Sequence, residues 1–568
     1  MSILSQTLIA FAGGAAARRF ERATRDPTGM QHRKLMSIVE RNQSTEYGKE
    51  HGFSSVKSLK DWQKAIPVVT YEDLRERVER MTRGEKNVLT AEAPVMFAKT
   101  SGTTGQAKYI PVTPNCQGRD HADQLRAWLH YARRDHPRMF QGKVLSLLSP
   151  AVEGHTPSGI PYGSTSGVVY RDMPWVVKGT YAVPYPVFEI EDYEAKYYCV
   201  MRIGIANEIT CVATANPSSV VKMCEMANSH ADALLRDLAD GTLRADLDIP
   251  KPIRETLLAR FKPLPEKARR LEQARQTRSG KLLPADYWPN LALIACWKGG
   301  TVGHYVEGFS QWFDPDGRKA IPVRDWGYLS SEARGSIPIS DEGCGGVLTV
   351  ANNVYEFVQV EELEQHPDSS QAWRMLGVDD VEVGKQYYIF ITTTGGLYRY
   401  DINDIIEVVG RYRQTPVIAF CRKGRGMTSI TGEKVSVDQV IEAFERSARE
   451  VAVEVSHFKA EADTEAERYV FKIETATPVP QERLRSMLES LEKHLSNLNI
   501  EYAAKRKSLR LNPPVLMVMK TGWYDSGKQR LVAEGKRLFQ AKTVLLSERT
   551  MEVDEEFIAA TITLNEKP

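Results

Sequence analysis

Apolar positions along this chain recur with two periods, and the switches between them mark out its elements. Residues 1 to about 60 carry apolar side chains at helical spacing, broken at Asp26-Pro27, with a turn expected near Tyr47-Gly48. Leu8-Ile9-Ala10-Phe11-Ala12 reads as the opening of an amphipathic helix that continues through Arg18-Arg19-Phe20. From about 90 to 215, short β-rich runs such as Val144-Leu145-Ser146-Leu147-Leu148 alternate with Pro/Gly turns and helical stretches, which predicts an α/β core. Residues 218 to 280 predict helices. Strands return at Leu291-Ala292-Leu293-Ile294-Ala295, Val347-Leu348-Thr349-Val350 and Tyr387-Tyr388-Ile389-Phe390-Ile391.

Arg422-Lys423-Gly424-Arg425-Gly426 is charged, interrupted by glycine and has little to bury, a composition suited to a hinge. Beyond it, Ser436-x-x-Gln439 predicts a capping box opening a helix of about 13 residues. Strands are predicted at Val451 to Val455 and Tyr469 to Ile473. A helix follows with Leu484, Leu488, Leu491, Leu495 and Leu498 on one face, then a strand at Val515 to Met519. This α-β-β-α-β unit of about 130 residues is large enough to fold semi-independently.

At 568 residues the chain exceeds one core, since single cores stop growing at about 250–300 residues. A composition of 42% hydrophobic and 26% charged residues is that of an ordinary soluble protein. A net charge of +2 provides no general field for nucleic acid or an anionic membrane, so function should lie in a local site. The basic stretch Arg254 to Lys281 is interspersed with Glu255, Glu266 and Glu272 and nearly lacks aromatics, so it reads as a solvated helix pair. Seven scattered cysteines form no C-x-x-C pair and fit reduced thiols. No run of about 20 apolar residues offers a membrane span, and Arg18 and Arg19 follow the first apolar run, the wrong order for a secretory signal. A cytoplasmic location is expected.

The candidate chemistry begins at Thr100-Ser101-Gly102-Thr103-Thr104-Gly105-Gln106-Ala107-Lys108, a donor-rich turn able to wrap a polyphosphate through backbone N–H groups. It is not a Walker loop. Tyr109-Ile110-Pro111-Val112 reads as a strand, which makes the loop a hairpin tip. Tyr328-Leu329-Ser330-Ser331-Glu332 offers a carboxylate after two serines. Gly396-Leu397-Tyr398-Arg399-Tyr400-Asp401-Ile402-Asn403-Asp404 places carboxylates, an arginine and tyrosines in the turn expected before the strand Ile405 to Val409. Asp404 at such a strand edge can accept both hydroxyls of a ribose. A salt bridge from Arg399 to Asp401 or Asp404 is the structural alternative.

The ordered set of these pieces resembles the acyl-acid amido synthetases that conjugate auxin and jasmonate in plants (the Gretchen Hagen family), within the wider adenylate-forming superfamily. The resemblance extends to Asn42-x-x-Thr45-x-Tyr47-Gly48, Trp288-Pro289-x-Leu291, Trp297-x-Gly299-Gly300 and Ser429-Ile430-x-Gly432-Glu433-Lys434, and so spans nearly the whole chain. It implies an α/β protein: a large N-terminal adenylate-forming domain of mixed sheets and helices over 1–425, a hinge over 426–434 and a small mobile α+β domain over 435–568. It also implies a ligase that uses ATP and Mg²⁺ to make an acyl-adenylate and passes the acyl group to an amine, usually an amino acid. Ser101, Gly102, Thr103, Thr104, Gly105 and Lys108 would then hold phosphates, with Ser331 and Arg422 also at the nucleotide. Tyr328 would meet adenine, Asp404 the ribose and Glu332 the Mg²⁺. Lys542 would meet the reacting carboxylate (Lys528 and Lys536 are rivals), and Lys434 would serve the alternate domain orientation. Trp128, Tyr131, Trp297, Gly299, Gly300 and Tyr305 would line the acid pocket. The base for the amine stays open between His304 and His155.

Asp401-Ile402-Asn403 stands where plant members have Arg-Val-Gly, and Gly432-Glu433-Lys434 where they have Ser-Asp-Lys, which argues against a plant-hormone acid. An acyl-CoA ligase and a non-enzymatic nucleotide-binding module are the alternative readings. Small-molecule acid and amine partners are expected for a monomer or weak dimer, with no nucleic acid and no membrane.

Overall fold

The computed structural model describes residues 3–100, 108–367, 369–475, 477–524, 526, 545–549 and 554–564. Two compact units divide the chain between Cys421 and Arg422.

The first unit opens with helices Ile3–Ala23 and Pro27–Asn42. Asp26 caps the second by accepting the Gly29 N–H at 2.9 Å, and Pro27 occupies the first helical position, where its missing N–H costs nothing. Tyr47-Gly48 is not a turn: Thr45 caps a short helix, Glu46–Glu50, by accepting the Gly48 N–H at 3.0 Å. A Cβ on Gly48 would lie 2.1 Å from the Asn42 carbonyl oxygen, so glycine is required there for close approach.

Strands Lys143–Ser146, Ile209–Ala213, Leu293–Ala295 and Val323–Arg324 pair in that order, all parallel. The helix Tyr193–Ala206, buried over most of its length, packs with this layer, which is why both strands and helix read as continuous apolar runs. A six-stranded sheet follows in the order Val354–Gln359, Gln386–Thr392, Tyr400–Tyr412, Thr415–Lys423, Gly346–Leu348, Ser336–Ile337. A smaller sheet holds Lys108–Val112 beside Met96–Thr100, then Pro161–Gly163 and Gly154–His155. Residues 218–280 are helical as the pattern predicted, in Pro217–Ser229, Ala231–Asp240, Lys251–Leu258 and Pro265–Thr277.

In the second unit, Ser436 and Gln439 form the expected capping box, and the helix Val437–Glu450 follows. The next strand is Val455–Asp463, not Val451 to Val455. The helix runs to Glu450 and the chain then reverses through Ala452 at φ 51°, which consumes the first apolar residues of that run. Strands Leu546–Glu548, Val455–Asp463, Arg468–Thr475, Val515–Met519 and Ile558–Thr563 form one sheet in that order. The helix Gln481–Leu498 buries Leu484, Met487, Leu488, Leu491 and Leu495 in the core of this unit.

Candidate active site

The carboxyl ends of parallel strands are where open α/β sheets present ligand sites. In the first unit Tyr328, Ser331 and Glu332 follow the strand Val323–Arg324, and Trp297 to Gly300 follow Leu293–Ala295. Past Val323–Arg324 the chain makes a tight hairpin in which Gly335 donates its N–H to the Tyr328 carbonyl at 2.7 Å and Ser330 donates to the Ala333 carbonyl at 2.9 Å. Ser331 and Glu332 form its tip. A Cβ on Gly335 would lie 2.4 Å from the Tyr328 ring, so glycine lets that ring fold across the hairpin.

Tyr328 donates its hydroxyl to Asp404 at 2.6 Å, and both side chains are buried. Burial, reinforced by the Asp404 charge, raises the Tyr328 pKa well above the ordinary phenol range, so it stays a donor. Asp404 does not precede its strand but lies inside Tyr400–Tyr412. Ile389 pairs with Asp404 while Phe390 pairs with Asp401, so the strand carries extra residues at this point. Asn403 takes up the resulting bulge at φ 56°. The bulge re-aims Asp404 toward the hairpin.

Arg399 does not pair with Asp401 or Asp404. It reaches Glu356 at 3.0 Å and donates to the carbonyls of Gln63 (3.0 Å) and Ile66 (2.7 Å), with both charged partners buried.

The segment Trp297 to Gly300 follows Leu293–Ala295 and is pinned by Asp325, whose carboxylate accepts the N–H groups of Lys298 and Gly327, each at 2.5 Å. Burial pushes the Asp325 pKa up to about 6. Gly300 sits at φ 64°, and a Cβ there would meet the Phe420 ring at 2.8 Å. Phe420 in turn lies nearly parallel to Tyr328, with centroids 6.4 Å apart. Neither Asp325 nor Phe420 is marked in the sequence, since one lone carboxylate and one strand aromatic carry no motif.

Trp128 stacks on Trp326 at 4.1 Å and donates its indole N–H to the Asp325 carbonyl at 2.8 Å, forming a wall behind the same loop. Tyr131 is turned elsewhere: its hydroxyl donates to Glu21 at 2.6 Å on the first helix. Tyr305 is buried and Trp297 half-buried. Lys108 holds its ammonium 5.4 Å from the centre of the Tyr71 ring. His155 is exposed, and the side chain of His304 lies outside the described set.

Ser101, Gly102, Thr103, Thr104 and Gly105 lie outside the described residues, as do Lys542 and its rivals Lys528 and Lys536. Arg422 and Lys434 belong to the second unit. There Glu433 is fully buried and accepts the N–H groups of Ile430 (2.8 Å) and Thr431 (2.9 Å) and the Tyr469 hydroxyl (3.0 Å). Glu433 therefore shapes the turn that presents Lys434.

Ahead of the helix Ala122–Asp135 the chain forms one π-helical turn, Cys116–His121. His121 lies 3.4 Å from the Cys116 sulfur. Burial, assisted by the Arg334 guanidinium, lowers the His121 pKa to about 3 and keeps it neutral. Below the ordinary histidine pKa of about 6.5 the unfolded chain takes a proton that the folded one refuses. Stability should therefore fall as pH drops below 6.5, by up to about 1.4 kcal/mol per pH unit from this group. Urea denaturation at pH 7 and pH 5 should show a smaller acid loss in His121→Gln than in the parent. An identical loss in both would remove His121 from the account.

The whole chain shares its fold with acyl acid amido synthetases: it superposes on the solved GH3.15 acyl acid amido synthetase in complex with 2,4-DB with a TM-score of 0.65 at 20% identity, over 98% of each chain. Models of the GH3 family match its N-terminal domain at residues 16–317, its central domain at 346–423 and its C-terminal domain at 437–550, and the chain belongs to that family. Among curated relatives it is 23% identical to indole-3-acetic acid-amido synthetase GH3.6 of Arabidopsis thaliana, over 92% of this chain and 89% of the relative. It is 24% identical to jasmonoyl–L-amino acid synthetase JAR6 of Nicotiana attenuata, over 92% of each. Among the described residues no helix is long and apolar enough to cross a membrane.

Proposed function

We propose that this chain is an ATP-dependent acyl-acid amido synthetase that activates a carboxylic acid and joins it to an amino acid. The observation that carries the reading is the convergence of Tyr328, Asp404 and the Ser331–Glu332 turn beyond the parallel strands. A buried carboxylate beside an aromatic ring suits a nucleoside, with the ribose hydroxyls donating to Asp404 and the base lying against Tyr328. Glu332 offers one carboxylate next to the Ser331 hydroxyl, a donor set that fits Mg²⁺, which keeps several waters and is shared with substrate phosphates. When bound, that ion would neutralise charge on the phosphates.

In the first half-reaction a carboxylate oxygen attacks the α-phosphorus of ATP, the bond to the β-phosphate oxygen breaks, and pyrophosphate leaves. In the second, the amine nitrogen attacks the acyl carbon, the bond to AMP breaks, and the amine proton passes to a base. Anion attacking anion demands fixed positive or donor groups in a dry site. The loop 101–105 with Lys108 would supply them at the phosphates, and Lys542 at the reacting carboxylate. The small domain over 435–568 would swing about the 426–434 hinge between the two steps, with Lys434 serving the alternate orientation and Arg422 staying at the nucleotide. Trp297, Gly299, Gly300, Tyr305 and Trp128 would bound the acid.

Acid-dependent exchange of pyrophosphate into ATP, run across a panel of aryl and aliphatic acids, tests the reading. At least one acid should support exchange and, with amino acids added, release an amide detected by mass spectrometry. Thioester formation from CoA in place of amide would establish the acyl-CoA ligase instead. Nucleotide binding with no exchange for any acid would leave only a binding module.

A further inference from the structure

Among the described residues, the fully buried guanidinium groups are covered. Arg399 has Glu356, Arg324 has Asp135 and Asp341 at 2.6 Å each, and Arg202 donates to the carbonyls of Asp237 and Thr242. Arg334, which is half-buried, is covered less well. Its guanidinium makes one hydrogen bond among the described residues, from Nη2 to the Thr165 hydroxyl at 3.3 Å, and no Asp or Glu among them pairs with it. Its charge acts on the Cys116 thiol and the His121 imidazole, and burial keeps both neutral. A cation placed in a protein interior ordinarily has its counter-charge.

The backbone holds Arg334 firmly. Its carbonyl accepts the Thr349 hydroxyl at 2.7 Å, and it is bridged across the hairpin to Leu329. Side chains alternate between the two faces of such a hairpin. Tyr328 and Gly335 share one face, so Arg334 leaves from the other, away from Asp404 and toward the helix Thr165–Arg171. Arg334 and Thr165 are both partly accessible. Because the Thr165 oxygen accepts from Arg334, its own hydrogen remains to donate. Together they offer a guanidinium fork and a hydroxyl, which match a carboxylate.

We propose that Arg334 and Thr165 bind the α-carboxylate of the acceptor amino acid and so restrict the second half-reaction to carboxylate-bearing amines. This rests on the amido synthetase reading. The reacting carboxylate of an acid seated beside the apolar wall of Trp128 and Trp326 must stay free to attack phosphorus. The carboxylate that does not react belongs to the acceptor. The hairpin then carries the nucleoside on one face and the acceptor on the other, with the reacting carbonyl at the Ser331–Glu332 tip.

The test compares each amino acid with its own amide as acceptor, using an acid that supports pyrophosphate exchange in the parent enzyme. Arg334→Gln should raise KM for the amino acid about 100-fold while changing KM for the amide less than threefold, with Arg334→Lys intermediate. Thr165→Val should shift the same ratio in the same direction by about tenfold. Equal effects on acid and amide acceptors, or none on either, would overturn the proposal, as would a change confined to KM for the activated acid. If no acid supports exchange, the amido synthetase reading fails by itself. The Arg334 site is then still read by thermal shift, where amino acids but not amides should stabilise the parent and not Arg334→Gln.

Discussion

Replacing Arg399 with methionine is expected to destabilise the first unit by about 3–5 kcal/mol, a large share of the roughly 5–15 kcal/mol that separates folded from unfolded proteins. The substitution strands the Glu356 carboxylate in the interior and removes the donors from the Gln63 and Ile66 carbonyls. Methionine is the informative choice because Arg399 sits at φ 46°, and another residue with a Cβ keeps that backbone strain unchanged. Adding Glu356→Leu should restore part of the loss, since removing both charges costs less than orphaning one. The carbonyls remain bare, so recovery should stay incomplete. Urea unfolding followed by tryptophan fluorescence measures all three variants. A loss below 1 kcal/mol in Arg399→Met, or no recovery in the double variant, would show that the pair does not bind the segment around Gln63 to the sheet.

The second large effect concerns Asp404. Asp404→Ala should lower kcat/KM for ATP in acid-dependent pyrophosphate exchange about 1000-fold, since two charge-assisted hydrogen bonds of about 1.5–3 kcal/mol each would go. Stability should also drop, by about 1–3 kcal/mol, because the buried Tyr328 hydroxyl loses its acceptor. Tyr328→Phe separates the two roles. If Asp404 serves mainly to hold Tyr328, both variants should lose activity alike. If it takes the ribose, Tyr328→Phe should stay within about tenfold of the parent. Matching losses in the two would sink the ribose assignment.

How far the sequence reveals this site can be judged residue by residue. The Ser436–Gln439 capping box and the strand Val515–Met519 were legible because local hydrogen bonding and β-branched runs decide them. The strand after Glu450 was misplaced because a left-handed residue at Ala452, unmarked by glycine, reverses the chain. Asp404 was visible as a candidate, yet its place inside a strand depends on a bulge set by its pairing with Gln386–Thr392, a non-local fact. Arg399 has two carboxylates close by in sequence but pairs with one 43 residues away. Arg334 carries no motif, and that no described Asp or Glu pairs with it becomes visible only once the neighbours around Thr165 are in place. Family membership was legible in the ordered motifs, whereas the roles of single residues in them still require the measurements above.

Gln31 illustrates what such long-range pairing demands of the nascent protein. Its amide nitrogen serves the carbonyls of Val350 and Asn353, and its oxygen takes the Tyr355 N–H, 324 residues downstream. Leu35, Ile38 and Val39 share one core with Val354, Phe357 and Ile389. At ribosomal speeds of about 5–20 residues per second, these early helices wait on the order of 15–60 s for their partners to emerge. Their apolar faces are open to chaperones, or to aggregation, throughout that interval, and expression at lower temperature or with added holdase should raise the soluble yield more than any change of codon usage near the start.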